Sequence, residues 1–483
     1  MPLSIANLAG AEAASVRFAV SDPDGTALPC RVHLRAVGGE AVKAAGLPFW
    51  KDHFVCEGAA NVVVAPGRYR YEIERGPEWS AARDELVVGD GETRPVVERL
   101  TRLADLAGEG WWSGDLHVHR DPAELPLHLR AEDLRVGSVI SAWNSEGMWQ
   151  DRALPDQPVE QTPDERIFHV LGAEDERGGG ALLFHGLDRL MPVGGADREW
   201  PPSARRLDVA RKLGAWVEAE KPFWWDFPIW LSRGVDSIGI AHNHMHRAGV
   251  LDNEAWGRAR SREEFPGPQG NGRYTQSLYY RALNCGFRIP PSAGSASGVL
   301  PNPVGYNRVY VHLDGALTWK NWWAGLRAGR AFVTNGPLLR LTANGRFPGD
   351  IFRTESGPLR VRLAGKLDSR DPIASVELVR NGRVEAIQLP AEIIIEESGW
   401  FLVRAIAAVA DTFRFASTAP WYVEIDNEAI KPRREDVQFF LDWTRDRAVQ
   451  VEAAVADETK RAEALAPQRE AEIFWKDRLS ESR

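Results

Sequence analysis

The stretch Gly114-Asp115-Leu116-His117-Val118-His119 alternates polar and apolar residues and predicts a strand with one ligand-bearing face. Residues two apart on a strand point to the same side, so Asp115, His117 and His119 share a face while the intervening apolar residues pack the other way. Two imidazoles and a carboxylate at one strand end can chelate a hard or borderline cation. A strand with two hydrogen-bonded histidines is the alternative interpretation.

Histidines are concentrated downstream of this stretch, since eight of the eleven fall between His117 and His246. A metal site needs such clustering, because ligand atoms from several strands must converge to about 2.1 Å from one ion. Further candidate ligands follow successive predicted strands: Glu174, His185, Asp226, His242 and His244. Each has a structural alternative, as a helix-start acid, a core histidine or a loop anchor. Their occurrence together favours a metal site.

The 483 residues are too many for one ordinary core, and their texture predicts four regions. Short alternating runs separated by turns predict β-sandwiches at 1–108 and 337–431. In 109–336, short apolar strands alternate with helical stretches, among them 204–221 and 319–329, which predicts a β/α barrel. Residues 432–483 predict a helical tail. The expected fold class is therefore multidomain α/β plus all-β.

Composition narrows the range of partners. The net charge of −9 with no basic run argues against nucleic acid and anionic membranes, and no segment approaches the roughly 20 apolar residues of a membrane span. A small-molecule substrate is expected, whereas the oligomeric state is left open. The start shows no signal peptide, which favours the cytoplasm unless the N-terminus is trimmed. Cys30, Cys56 and Cys285 fit a reducing compartment, with a single bridge left open.

The quoted motif, Gly172-Ala173-Glu174 with the following His185-Gly186, the stretch 279–286 and Thr334-Asn335-Gly336-Pro337 together resemble the PHP superfamily of metal-dependent hydrolases. The resemblance is closer to its CehA/McbA-like branch and covers roughly residues 110–337. It implies a distorted β/α barrel, here flanked by the two sandwiches. It also implies one to three divalent ions, with a metal-bound hydroxide as nucleophile.

Carried over residue by residue, the resemblance makes His117 and His119 ligands of the first motif, Glu174 the bridging acid and His185 the next ligand. Asp226 stands where the family has a histidine and would be a ligand by substitution. The family's late Gly-Ser-Asp-x-His element is here Gly294-Ser295-Ala296-Ser297-Gly298, without either ligand. We therefore expect one or two ions (Zn, Mn or Fe), with His242 or His244 as the replacement ligand and His244 favoured.

The predicted chemistry is hydrolysis of an amide, carbamate or ester, with a phosphoester next. Such an ion lowers the pKa of bound water from 15.7 to about 7. His242 or Asp115 would shuttle the proton, and Arg120 would bind a substrate anion. Three further residues either line the pocket or hold the C-terminal sandwich through turns: Asn307, Arg308 and Asn335.

Two alternatives accompany this hypothesis. A degenerate barrel that binds a ligand or carbohydrate would explain the missing late ligands and the nineteen tryptophans. A purely structural metal is disfavoured, because closed zinc sites commonly include cysteine and Cys285 is the only cysteine in the barrel segment.

Overall fold

The computed structural model describes residues 13–192, 197–426 and 428–483. The chain divides into two compact units, one of Met1–Ala104 with Pro126–Asp133 and one of Asp105–Leu125 with Leu134–Arg483. Helices make up 20% and strands 37% of the described residues, which confirms the coarse prediction of a multidomain α/β and strand-rich protein. None of the described helices is both long and apolar enough to cross a lipid bilayer.

The first unit holds two sheets, of three strands (order β5-β1-β8) and five strands (order β3-β4-β2-β6-β7). Both contribute to one apolar core, in which the ring of Phe18 meets those of Phe54 and Tyr71 at centroid distances of 6.2 and 6.1 Å. Alternating apolar residues thus bury one face of each sheet. The elements are β1 Ser15–Ser21, β2 Cys30–Ala36, β3 Phe49–Trp50, β4 His53–Cys56, β5 Ala59–Val63, β6 Gly67–Glu74, β7 Ala82–Val88, β8 Thr93–Arg99 and, mostly in this unit, α1 Leu125–Ala131.

The second unit carries the remaining elements. Its helices are α2 Ser203–Lys212, α3 Phe227–Arg233, α4 Gly270–Asn284, α5 Trp319–Arg327, α6 Arg434–Ala454 and α7 Glu458–Ser480. Its strands up to residue 334 are β9 Trp111–Val118, β10 Val136–Trp143, β11 Glu146–Gly147, β12 Val159–Gln161, β13 Ile167–Arg177, β14 Gly180–His185, β15 Trp216–Ala219, β16 Ser237–Ala241, β17 Met245–His246, β18 Gly249–Val250, β19 Pro291–Ala293, β20 Arg308–His312 and β21 Ala331–Thr334. The later strands are β22 Leu338–Ala343, β23 Ile351–Thr354, β24 Leu359–Asp368, β25 Ile373–Arg380, β26 Arg383–Ala386, β27 Ala391–Ile395, β28 Gly399–Ala407, β29 Phe415–Thr418 and β30 Trp421–Ile425.

A closed sheet positions the candidate site. Strand β10 pairs in parallel with β9 and β13, and β15–β16 and β16–β19 are also parallel pairs. Strand β14 lies antiparallel between β13 and β15, so β13 and β15 run in the same direction. Six strands of the sheet therefore run the same way: β9, β10, β13, β15, β16 and β19. Strand β20 pairs antiparallel with β9, and the sheet closes. The carboxyl ends of the six strands therefore meet at one end of the barrel, where such folds place their chemistry.

Strand β15 occupies part of the segment that the sequence predicted as a helix over 204–221. Helix α2 ends at Lys212, and Gly214 follows with φ +74°, its N–H donating to the Arg211 carbonyl. A glycine with positive φ is a common helix terminator. The chain then turns back as a strand, so the helix prediction was wrong for the second half of this segment.

The C-terminal residues continue the same unit. Strand β21 pairs with β29, so the sheet runs across the predicted domain boundary at 336. Helices α6 and α7 form the predicted helical tail, and they pack against the rest of this unit. Trp443 and Trp475 are fully buried, and the Phe440 ring lies 5.9 Å from that of Phe227 in α3.

Candidate metal centre

Three side chains converge at the carboxyl end of the barrel. His117 Nε2 and His119 Nε2 are 3.0 Å apart, and Glu174 Oε2 lies 3.3 Å from the first and 3.2 Å from the second. His117 is the penultimate residue of β9, His119 directly follows the strand, and Glu174 lies on β13, two strands away. The structure thus brings together three of the six predicted ligands.

Glycines allow the backbone of the late element, Gly294 to Gly298, to approach His117 and His119. A Cβ on Gly294 would lie 2.4 Å from the His117 Cβ, and one on Gly298 would lie 2.4 Å from the His119 carbonyl oxygen. The His119 N–H donates to the Ser297 carbonyl at 2.7 Å, and the Ala296 N–H donates to the His117 carbonyl at 2.7 Å. This element therefore supplies backbone support to the histidines.

The donor set fits a divalent cation. Ligand atoms at about 2.1 Å in tetrahedral geometry lie about 3.4 Å apart, close to the 3.0–3.3 Å separations here. Moreover, His117 Nδ1 faces Glu220 Oε1 at 3.6 Å. A carboxylate on the far nitrogen fixes the tautomer that leaves the ligating nitrogen its lone pair. The arrangement supplies three ligands and one orienting acid.

Without a cation, the cluster is strongly polarised. Burial opposes charge on His117, yet Glu174 and Glu220 raise its pKa to about 10. Burial likewise opposes charge on Glu174, but the two histidines hold its pKa well below its usual range. Burial lowers the pKa of His119 against the pull of Glu174. Perturbed titratable groups of this kind concentrate at functional sites.

Glu220 and its neighbour Lys221 were not among the residues predicted from the sequence. Lys221 Nζ donates to Glu220 Oε1 at 2.6 Å, and Trp224 Nε1 donates to Oε2 at 2.9 Å. These contacts hold the carboxylate beside His117. The sequence signal was the alternation Glu218-Ala219-Glu220, which puts two acids on one side of the chain at the end of β15, and the incorrect helix prediction concealed it.

A pocket of about 220 Å³ opens over the cluster. Its walls combine aromatic, apolar and charged side chains: His117, His119, Trp143, Glu174, Glu176, Lys221, Trp224, Asn243, His244, Leu251, Asn253, Ala255, Trp256, Ala296, Val299 and Leu300. Glu176, also missed, accepts a hydrogen bond from Trp143 Nε1 at 3.2 Å. Burial and the charge of Glu174 raise the pKa of Glu176 to about 7. The pocket is small, largely apolar and carries a few polar groups.

Of the other predicted histidines, only His244 lines this pocket. The side chain of His244 is fixed by Nδ1, which lies 3.1 Å from the Asn253 carbonyl oxygen, so that nitrogen carries the proton. His242 lies 2.9 Å from the Thr275 hydroxyl through Nε2 and accepts the His244 N–H, so both of its nitrogens are engaged locally. Burial lowers the pKa of each of these histidines well below its usual value.

His185 belongs to a second buried group inside the barrel. Its Nδ1 lies 2.9 Å from Ser138 Oγ, and its ring stacks on Trp323 at 5.5 Å. Its Nε2 is buried without a hydrogen-bond partner and lies 3.9 Å from Glu218 Oε2. Burial raises the pKa of Glu218 to about 8. The structure does not place His185 in the three-residue cluster.

Asp226 is engaged elsewhere, which corrects its expected position in the centre. Its Oδ1 accepts from Arg447 Nε at 2.7 Å and its Oδ2 from the Ser203 hydroxyl at 2.7 Å. Arg447 also pairs with Glu199. Because both carboxylate oxygens have partners on α2 and α6, Asp226 acts as a structural anchor at the start of α3.

The remaining predicted residues lie outside the described lining of the pocket. Asp115 Oδ1 accepts the backbone N–H groups of His117 and Ser295 at 3.0 Å each, and Oδ2 accepts that of Gly305 at 2.7 Å. Arg120 pairs with Glu124 at 2.7 Å.

Three predicted substrate-binding residues bond backbone carbonyls instead. Asn307 Nδ2 donates to the His242 and Met245 carbonyls, Arg308 Nε to that of Gly305, and Asn335 Nδ2 to that of Phe413. The geometry supports their alternative interpretation, as residues that hold turns.

A second group that could hold a metal lies in the first unit, at His33, Asp52 and His53. Asp52 accepts from both histidines, with His53 Nδ1 at 2.9 Å and His33 Nδ1 at 3.2 Å. Arg31 Nε donates to His33 Nε2 at 3.0 Å. Arginine stays protonated, so neutral His33 must carry its proton on Nδ1, the atom that would bind the metal. The geometry therefore favours a chain of hydrogen bonds over a metal site for this group.

Comparisons with family models, curated proteins and solved structures find no match for the chain. The candidate centre therefore rests on its geometry.

Proposed function

We propose that the chain is a divalent-metal-dependent hydrolase of the kind its motifs resemble in the PHP superfamily. The observation that carries the proposal is the convergence of His117 Nε2, His119 Nε2 and Glu174 Oε2 within 3.3 Å of one another at a pocket. Three protein ligands beside an open pocket are typical of catalytic rather than structural metal sites.

Each residue of the candidate centre has a distinct role in this proposal. His117, His119 and Glu174 would hold the ion, and His244 lies in the same pocket as a further donor. When bound, Zn²⁺, Mn²⁺ or Fe²⁺ supplies a Lewis acid that makes water nucleophilic near neutral pH. Glu220 orients His117 from its far nitrogen.

Glu176 and Lys221 give the pocket its proton-transfer and binding chemistry. Glu176 lies two residues beyond Glu174 on β13, at the pocket wall, where a carboxyl with a pKa near 7 can take and return a proton. The Lys221 ammonium lies 4.6 Å from the Trp224 ring centroid and supplies a buried positive charge. These features suit a small amide, carbamate or ester, with a phosphoester next.

Two variants on one face of β13 test the proposal. Glu174→Gln should lose metal through a desalting column, whereas Glu176→Gln should retain it and lose turnover. Metal content is measured by elemental analysis, and activity on a panel of p-nitrophenyl esters, anilides and phosphoesters. A wild-type protein that holds no metal after incubation with Zn²⁺, Mn²⁺ and Fe²⁺ would refute the proposal.

Ligand binding without catalysis is the second candidate. The late element supplies only backbone groups to the centre, and Trp143, Trp224 and Trp256 line the pocket, the last 46% exposed. Indole rings at a rim suit stacking on a sugar or other planar ligand. Wild-type protein that binds metal, turns over no substrate in the panel and quenches its fluorescence with a sugar would favour this alternative.

A further inference from the structure

Two of the three cysteines face each other in the first unit. Cys30 at the start of β2 and Cys56 at the end of β4 are direct partners in the antiparallel register. Directly opposed residues have Cα atoms about 4.5–5.5 Å apart, within the range of about 4.4–6.8 Å that a disulfide bridges. Their sulfur atoms are 3.8 Å apart and fully buried.

We propose that Cys30 and Cys56 form a redox-active dithiol that peroxide converts to a cross-strand disulfide. The proposal concerns the β-sandwich unit and is independent of the proposed hydrolase activity. The strand pairing already aligns the two sulfurs. The disulfide therefore forms when the sulfurs approach each other, without a change of strand register.

Cys56 is the sulfur that reacts first. It ends its strand, and the next residue, Glu57, has a side chain that is 57% exposed, so Cys56 lies one residue from solvent. Hydrogen bonds from the Cys30 thiol and the Gly58 N–H lower the pKa of Cys56. The contact with Cys56 and burial raise the pKa of Cys30, which stays protonated until the second step.

The chemistry balances with one peroxide. The Cys56 thiolate attacks one peroxide oxygen, the O–O bond breaks, and the departing hydroxide takes up the proton that Cys56 released, leaving a sulfenic acid and water. Cys30 sulfur then attacks the Cys56 sulfur, the S–O bond breaks, and the Cys30 proton leaves with the hydroxide as a second water. Two thiols are oxidised to one disulfide, and hydrogen peroxide is reduced to two waters.

Thiol counting on the full chain tests the proposal, with Cys285 as an internal control. Cys285 is also buried but lies in the other unit. Reduced protein is exposed to hydrogen peroxide while folded, then alkylated in denaturant. Wild type should fall from three free thiols to one, Cys285→Ala should fall from two to none, and Cys30→Ala should form no intramolecular disulfide. The intact mass of oxidised wild type, measured before alkylation, should be lower by two hydrogens.

Peptide mapping of the wild type keeps the test decisive if a variant fails to fold. The expected result is a Cys30–Cys56 crosslink that dithiothreitol reverses and that raises the denaturant midpoint of the first unit. Three intact thiols after oxidation of the folded protein would overturn the proposal. So would a crosslink that includes Cys285 or joins two chains.

Discussion

The contrast between Asp226 as a predicted ligand and as an observed anchor gives the sharpest test of the centre. In the structure its carboxylate is paired with Arg447, and the two side chains are 8% and 3% exposed. Removing one partner of a buried pair leaves an uncompensated charge and costs about 3–5 kcal/mol. Arg447→Met removes the shorter of the two ion pairs of Glu199 as well as the ion pair of Asp226, so we expect the upper part of that range.

Asp226→Asn is the milder change, because Arg447 keeps its pair with Glu199 and the amide still accepts from Ser203. We expect a loss of about 1–3 kcal/mol, typical of a disturbed charged hydrogen bond. The double variant Asp226→Asn/Arg447→Met should be less destabilised than the sum of the single changes, since the two residues interact directly.

Guanidinium unfolding, followed by tryptophan fluorescence, measures these losses, and elemental analysis measures retained metal. All three variants should keep the metal content of the wild type, whereas His119→Ala should lose it. The reasoning is refuted if Asp226→Asn unfolds at the wild-type midpoint but loses its metal as His119→Ala does.

Three further predictions concern charge in the barrel. Against the effect of burial, Glu174 and Glu220 raise the pKa of His117 to about 10, so a metal must displace the proton of this histidine. The apparent affinity for the metal, measured by chelator competition, should therefore rise about tenfold per pH unit from pH 7 to 9. An affinity that does not change with pH would contradict this. Glu220→Gln should weaken metal binding about 10–100-fold, whereas Glu218→Gln, which replaces an acid that is neutral at pH 7, should leave it unchanged. Burial lowers the pKa of His169 to about 4, so the unfolded chain binds its proton more tightly. This histidine alone should lower the stability by about 1.4 kcal/mol per unit as pH drops from about 6.5 to 4, and the denaturant midpoint of His169→Gln should fall correspondingly less.

Periodicity was sufficient to predict the first half of the centre. His117 and His119 could be placed on one side of a strand end because side chains alternate along β9. Glu174 could be added because strands of a β/α barrel present their carboxyl ends together. Both inferences use local pattern and a general property of the fold, and the three residues do converge.

Partners distant in sequence could not be predicted in this way. Arg447 lies 221 residues from Asp226, and nothing near the acid indicates that a C-terminal helix covers it. Glu220 was lost for a different reason, because a run of helix-forming residues after Ser203 concealed the stop at Gly214. A glycine two residues before Trp216 and Val217 was the available evidence for a strand.

Asp115 lies in the predicted motif, but its contacts differ from the role that the sequence predicted for it. Its position beside two histidines suggested proton transfer, yet its two oxygens accept three backbone N–H groups, from His117, Ser295 and Gly305. One carboxylate thereby joins the end of β9 to the late element and to the loop before β20. This framework requires no acid or histidine side chain in the late element, because the element contributes through its backbone. The first motif therefore combines candidate ligands with the anchor that holds their strand end in place, and an alternating pattern alone cannot distinguish the two.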